Sequence, residues 1–219
     1  MALPAIYDRE HFDAEAFQAA TGVSRETLRR FEAWRALLER RNGELNLVGR
    51  STLSDFWRRH AYDGFQLIQS APNGVRWLDI GSGAGIPGVS IALGLLDRAV
   101  PGGEVVMVES IAKKARVIEE TVAVTDAPAR VLSVRAESLD LTTRYDVVTA
   151  RAVASLDRLF DYLHPFVENG AIALLPKGRA HEEELTAARK SWTFEVEVIP
   201  SLTAREAAIL RIERLARVR

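Results

Sequence analysis

The chain has 219 residues, 47% of them hydrophobic, a formal net charge of −1 and no cysteine. That length suits one sizeable domain with a full core, and the missing cysteines exclude disulfides, thiolate metal sites and any cysteine nucleophile. No apolar run approaches membrane-spanning length, and the opening "MALPAIYDRE" lacks a secretory pattern, so a cytoplasmic protein is expected.

Charge is spread unevenly. Between Arg25 and His60 nine arginines face five acids, and from Arg205 onward five arginines face two glutamates. Such patches suit phosphate contacts, although a charged helix face is also an ordinary solvated one.

The N-terminal third reads as helical. Asp13 predicts the cap of a short helix that Gly22 closes. Ser24 predicts the cap of a longer one, with Leu28, Phe31, Trp34 or Arg35, and Leu38 at helical spacing. A third helix is expected from Ser54, carrying Phe56, His60, Gly64 and Leu67 down one side. "SAPNG", Ser70 to Gly74, is a turn-rich break that divides a helical segment over 1–72 from a second region over 73–219.

In the second region strands and helices alternate. Strands are expected at Val75–Ile80, Glu104–Val108, Ala129–Val134, Tyr145–Ala150 and Ala171–Leu175. Helices fit at Pro87–Leu96, Ala112–Thr125, Leu156–Val167 and Ala180–Lys190. Repeated βα units imply a doubly wound, mostly parallel sheet. "TFEVEVIPSL" and "EAAILRIERL" then predict two strands with only a loop between them, an antiparallel pair at the sheet edge.

The stretch "WLDIGSGAGIPG", Trp77 to Gly88, lies at the turn from the first strand into the first helix of that region. Ligands of open parallel sheets bind there, beyond the strand ends. Gly81, Gly83 and Gly85 let a ligand approach the backbone, and Pro87 suits a first helical turn. Read from Gly83, the run matches a dinucleotide pattern. Read from Asp79, it is an acid two residues before a triple-glycine turn, which resembles the first motif of class I S-adenosylmethionine methyltransferases. Asp79 suits a cationic amino-acid end, with a plain loop cap as its alternative. Glu109, ending the second strand, suits paired ribose hydroxyls in either reading, or is a solvated strand end. The terminal antiparallel pair favours S-adenosylmethionine over NAD.

The methyl acceptor is narrowed by elimination. Attack on carbon 5 of a pyrimidine needs the absent cysteine, and "VVTARAVASL" lacks the polar residue and prolines usual for exocyclic amines. A ribose hydroxyl needs a proton remover, a role open to Lys177 in "LLPKG". A ring nitrogen such as guanine N7 has its own lone pair and needs little beyond positioning and a suitable electrostatic pocket. Both of the last two remain open on the residues alone. No His, Asp and Glu set has metal-ligand spacing. His60 and Asp63, three apart, can meet each other or one shared partner. Lys113 and Lys114 stand at a helix start, an unfavourable end for cations, which suits an RNA-phosphate contact.

"LDIGSGAGIPG", "VESIAKKARVIEE", "RAESL" and "YDVVTARAVASLDRL" resemble, in order and spacing, the bacterial 16S ribosomal RNA guanine-N7 methyltransferase G family, also called glucose-inhibited division protein B. "NLVGRSTLSDFWRRHAYDGFQL" matches its Asn-Leu and His-x-x-Asp pattern, and "LLPKGRAHEEEL" its late lysine-glycine segment. The resemblance runs from about Leu28 to the end. It implies a Rossmann-like class I methyltransferase domain of seven strands, mostly parallel with an antiparallel last strand, behind an N-terminal helical extension. It implies methylation of one guanine in the 530 loop of 16S ribosomal RNA using S-adenosylmethionine; the partner is free 16S RNA or the 30S subunit, and a monomer is expected. By the same resemblance Gly81 and Ile86 contact the cofactor, Ala136 and Glu137 address its adenine, and Arg151 stands at the active-site mouth. Lys177, Asn46 and Asp63 join Arg151 in framing the target. The family often has Ser at Ala150 and an aromatic at Val153. The remaining alternatives are a nicotinamide oxidoreductase and a non-catalytic RNA-binding factor that keeps the fold.

Overall fold

The computed structural model describes residues 2–151 and 154–218. The expected early caps form. Asp13 accepts from the Ala16 N–H at 2.9 Å to start α1 (Ala14–Thr21), and left-handed Gly22 ends it. Ser24 accepts from the Thr27 N–H at 3.1 Å to start α2 (Arg25–Leu45). Of the two residues that fit the buried stripe of α2, Trp34 is inside, while Arg35 is exposed and pairs with Glu39.

The third helix differs from expectation. Ser54 ends a short helix, α3 (Arg50–Ser54), rather than starting one, because Asp55 leaves helical geometry at ψ 37°. A π-helical segment follows at Trp57–Tyr62, then α4 (Asp63–Phe65) and α5 (Leu67–Ser70). Phe56, His60, Gly64 and Leu67 are all buried as the spacing implies, but the helix is widened through their middle.

Beyond the turn, β1 (Arg76–Ile80), α6 (Gly88–Asp97), β2 (Glu104–Val108), α7 (Ala112–Thr125), β3 (Ala129–Leu132) and β4 (Val147–Thr149) follow in βα order. They continue into α8 (Leu156–Glu168), β5 (Ile172–Lys177), α9 (His181–Ala188), β6 (Trp192–Pro200) and β7 (Ala208–Arg217). The sheet order is β3-β2-β1-β4-β5-β7-β6. The first five strands in that order are parallel, and β7 is antiparallel to both its neighbours.

The pleat sorts the core into two layers, since successive side chains point to opposite faces. Trp77 and Met107 face the N-terminal helices, α6 and α7, through a cluster that also holds Phe17, Phe31, Trp34, Phe65 and Ile118. Leu78, Ile80, Val106 and Val108 face the α8 side, with Leu159, Phe160, Leu163 and Trp192. The N-terminal helices therefore share one core with the sheet. Strands are added outward in opposite directions from β1 and β4, so their carboxyl ends open a crevice at the switch point.

Candidate functional site

The glycine loop leaves β1 at this crevice. Gly81, Gly83 and Gly85 all have positive φ, at 72°, 58° and 80°, conformations that side chains other than glycine rarely adopt. Their surroundings differ. A Cβ on Gly85 would lie 2.7 Å from Val89 Cγ2, whereas one on Gly83 would meet nothing nearer than the Gly81 carbonyl oxygen at 3.9 Å. Gly83 thus leaves the loop surface bare, and Gly85 closes its underside. The Ile86 N–H is bonded to the Ser82 carbonyl at 2.9 Å, which tightens the turn.

Glu109 holds this loop from the end of β2. It is 6% exposed, and its two carboxylate oxygens accept from the Gly83 N–H at 2.9 Å and the Ile111 N–H at 2.8 Å. Each oxygen keeps lone-pair capacity for a further donor. Glu109 is therefore a fixed acceptor and not a solvated strand end.

Asp79 is placed differently from a residue that meets a ligand's ammonium group. By the strand pleat it lies on the α6 side and has no exposed surface. Its Oδ2 accepts from the Gly88 N–H at 3.1 Å, and its Oδ1 has no partner. Burial pushes its pKa up to about 6, against the lowering influence of the nearby Ser82 hydroxyl, which itself donates to the Asp79 main-chain carbonyl at 3.1 Å, and of the Gly88 N–H. The carboxyl acts on the loop from beneath, as a cap.

Ala136 and Glu137 form a short 3-10 turn after β3. Ala136 is half-buried, and Glu137 is exposed and accepts from the Tyr162 hydroxyl at 3.2 Å. Hydrogen bonding to its own backbone amide holds the Glu137 carboxyl below its ordinary value, with Tyr162 adding to the effect.

A cleft of about 940 Å³ opens beside the ends of β4 and β5, between the π-helical segment and the β6–β7 connection. Arg151, His60, Asp63 and Lys177 all line it. His60 and Asp63 do share one partner, and that partner is Arg151. Its guanidinium donates to Asp63 Oδ2 at 3.3 Å and to the Arg59 carbonyl at 3.0 Å, and it lies 3.4 Å from His60 Nδ1. The π register makes room for the carbonyl contact: the Asp63 N–H bonds to the Arg58 and His60 carbonyls and not to that of Arg59. Such widened turns recur at functional sites.

A guanidinium only donates, so this contact assigns the lone pair to His60 Nδ1 and the proton to Nε2, which is buried with no partner among the described residues. Burial, then the Arg151 charge, lowers the His60 pKa to about 3, and the imidazole is neutral at physiological pH. Lys177 Nζ lies 2.7 Å from Glu184 Oε2, which also accepts from the Leu156 N–H at 3.1 Å.

Asn46 is not brought to this group. It is the exposed, left-handed residue ending α2, and the cleft wall begins at Leu47 and Val48. Val153 lies outside the described residues. Lys113 and Lys114 occupy the first turn of α7 with no carboxylate partner among the described residues. Sequence reasoning missed Gln66, Glu184, Ser201 and Thr203. Only Glu184 left a signal, as part of an acidic run shortly after Lys177.

The family model of the rRNA small subunit methyltransferase G matches residues 27–210. A protein of Rhodospirillum centenum named ribosomal RNA small subunit methyltransferase G is 47% identical over 206 residues, covering 94% of this chain and 92% of its own. One of the same name from Methylobacterium nodulans is 45% identical over 205 residues, covering 93% and 96%. Among solved structures, a putative O-methyltransferase from Klebsiella pneumoniae superposes with a TM-score of 0.55 at 14% identity, covering 91% of this chain and 94% of its own. An MtNAS variant in complex with S-adenosylmethionine gives a TM-score of 0.51 at 15% identity, covering 95% and 86%. These structures share the fold of class I methyltransferases.

Proposed function

The chain belongs to the family of rRNA small subunit methyltransferases G, and from that premise we propose that it methylates N7 of a guanine in the 530 loop of 16S ribosomal RNA, using S-adenosylmethionine. The residues at the ends of β1 and β2 fit that cofactor: Gly83 leaves the loop face bare, and Glu109 offers paired oxygens to a ribose. Gly81, Gly83, Gly85 and Ile86 would hold it along the loop, with Ala136 and Glu137 at its adenine. When bound, it supplies an electrophilic methyl group.

The choice of N7 rests on the engagement of the ionisable groups around Arg151. Lys177 is ion-paired with Glu184, Asp63 with Arg151, and the His60 lone pair faces a guanidinium. A ribose hydroxyl must lose a proton to a positioned base, and an ion-paired ammonium has donors only. Guanine N7 presents a lone pair and needs no base. Arg151 would frame the base, Lys177 and Asp63 would hold the surrounding cleft, and Lys113 and Lys114 would meet RNA phosphate. The enzyme would act as a cytoplasmic monomer on 16S RNA or the 30S subunit; among the described residues no helix is long and apolar enough to cross a membrane.

The test is transfer of labelled methyl from S-adenosylmethionine to 30S subunits and to protein-free 16S RNA, both from cells lacking this activity, with the product base identified. Label as 7-methylguanine in the 530 loop is expected. Label on a ribose would replace the acceptor, and no label on either substrate would refute the reading.

A further inference from the structure

We propose that Thr203, in the connection between β6 and β7, is a positioning residue for Arg151 and acts through Asp63; the proposal rests on Arg151 working at the reaction centre. Thr203 is 6% exposed, and its hydroxyl donates to Asp63 Oδ1 at 2.7 Å. Gln66 Nε2 donates to the same oxygen at 3.0 Å. Asp63 Oδ2 is thereby left to accept from Arg151. A carboxylate turns readily about its last torsion, so two donors on one oxygen fix where the other points.

The hydroxyl that does this is itself oriented. The Thr203 proton goes to Asp63, so Ser201 Oγ, 3.0 Å away, donates to Thr203 Oγ1. The Thr203 N–H returns a bond to Ser201 Oγ at 3.2 Å, and the Leu202 N–H donates to Gln66 Oε1 at 2.8 Å. Hydrogen bonds chained in this way strengthen one another in a buried setting. The same connection continues through Ala204, Glu206 and Ala207, which line the cleft beside Arg151. Whatever fills the cleft rests against the segment that orients the guanidinium.

Three Thr203 variants test this, by activity and by a signal from Arg151 itself. In Thr203→Val, kcat on 30S subunits is expected to fall about tenfold, the scale of one hydrogen bond to a charged group. KM and cofactor affinity are expected to stay within about twofold, and Thr203→Ser to restore kcat to within about threefold. Thr203→Ala removes the same hydroxyl without overfilling the site and repeats the test should valine disturb the fold. Independently of activity, the Arg151 side-chain N–H signal in a ¹H–¹⁵N spectrum is assigned by its loss in Arg151→Ala. That signal is expected to move in Thr203→Val and to return in Thr203→Ser. An unmoved signal, or a serine variant as impaired as the valine one, overturns the proposal. A wild-type protein that methylates neither substrate overturns the functional reading alone, because the Arg151 signal still decides what Thr203 does.

Discussion

Replacing Asp79 by Asn gives a test of the buried carboxyl whose size follows from its surroundings. The group is wholly buried, with one oxygen bonded to the Gly88 N–H and the other unpartnered. Burial raises its pKa from the ordinary 3.8 to about 6, which corresponds to roughly 3 kcal/mol once the folded form is ionised. Between those values the folded protein binds more protons here than the unfolded chain, so stability falls as pH rises. From about pH 4.5 to pH 8 the fall amounts to roughly 2 kcal/mol. Asparagine has the same shape and does not titrate. Its amide carries a fixed cost at the unpartnered position, which cancels when the two proteins are compared across pH. His60 works in the opposite direction: its pKa, lowered to about 3, makes stability rise with pH up to its ordinary 6.5, and it does so in both proteins. Urea titrations followed by tryptophan fluorescence at several pH values would measure the difference. Asp79→Asn should gain roughly 2 kcal/mol on wild type between the two ends of that window. A difference that stays flat with pH would refute the reading of Asp79 as a carboxyl whose pKa burial raises.

Arg151→Ala should leave the thermal melting point within a few degrees of wild type, since its side chain sits at the cleft and not in the core, and should lower methyl transfer by about a hundredfold; wild-type turnover would remove Arg151 from the mechanism. Glu109→Gln keeps the shape but turns an amide NH2, itself a donor, toward one of the two N–H groups from which the carboxylate now accepts. Calorimetry should show cofactor affinity lower by about tenfold or more, and unchanged affinity would disconnect Glu109 from the ligand. Gly83→Ala meets open space, so its stability cost should be only about 1–2 kcal/mol for a left-handed alanine. The methyl group covers the bare loop face, so cofactor affinity should fall further than stability does. Equal or no loss of affinity, measured by calorimetry beside urea unfolding, would place the ligand elsewhere.

What was legible in the sequence is what is local. The strand-to-helix turn, its glycines and the acid ending β2 lie within 33 residues of one another, counting from Trp77 to Glu109, and their pattern gives both the loop and the strand that faces it. The terminal antiparallel pair was equally plain, because two alternating strands stand with only a loop between them. Asp79 was misjudged by its motif: the match set it at a ligand's cationic end, whereas its alternation with Leu78 and Ile80 belongs with the other face, under α6, where it is wholly buried. The π-helical widening left no trace, since Phe56, His60 and Gly64 at four-residue spacing suit an α-helix as well. With it the Arg59 carbonyl as a partner of Arg151 was out of reach. The Asp63–Thr203 contact spans 140 positions, and nothing in the residues around Thr203 marks it. Asn46 shows the reverse case: a motif match placed it at the target, while the helix geometry puts it on the surface.

The distribution of charge in the cleft bears on the acceptor in a way that no single residue does. Methylation at N7 leaves the guanine ring positively charged. An unbalanced cation about 4 Å away would oppose that charge by roughly 4 kcal/mol at the effective dielectric of a protein surface. Arg151 is balanced by Asp63 at 3.3 Å, and Lys177 by Glu184 at 2.7 Å. Arg59 and Arg179 are exposed, line the same cleft and have no ion-pair partner among the described residues. Under the proposed function their charge would serve phosphates, whose contacts supply much of the affinity for nucleic acid without reading sequence. A site for a ribose hydroxyl would need an unengaged base where Lys177 is paired, and would gain nothing from pairing Arg151. A site for a base that becomes a cation needs the opposite: balanced charge where the ring lies, and free positive charge only where the backbone passes.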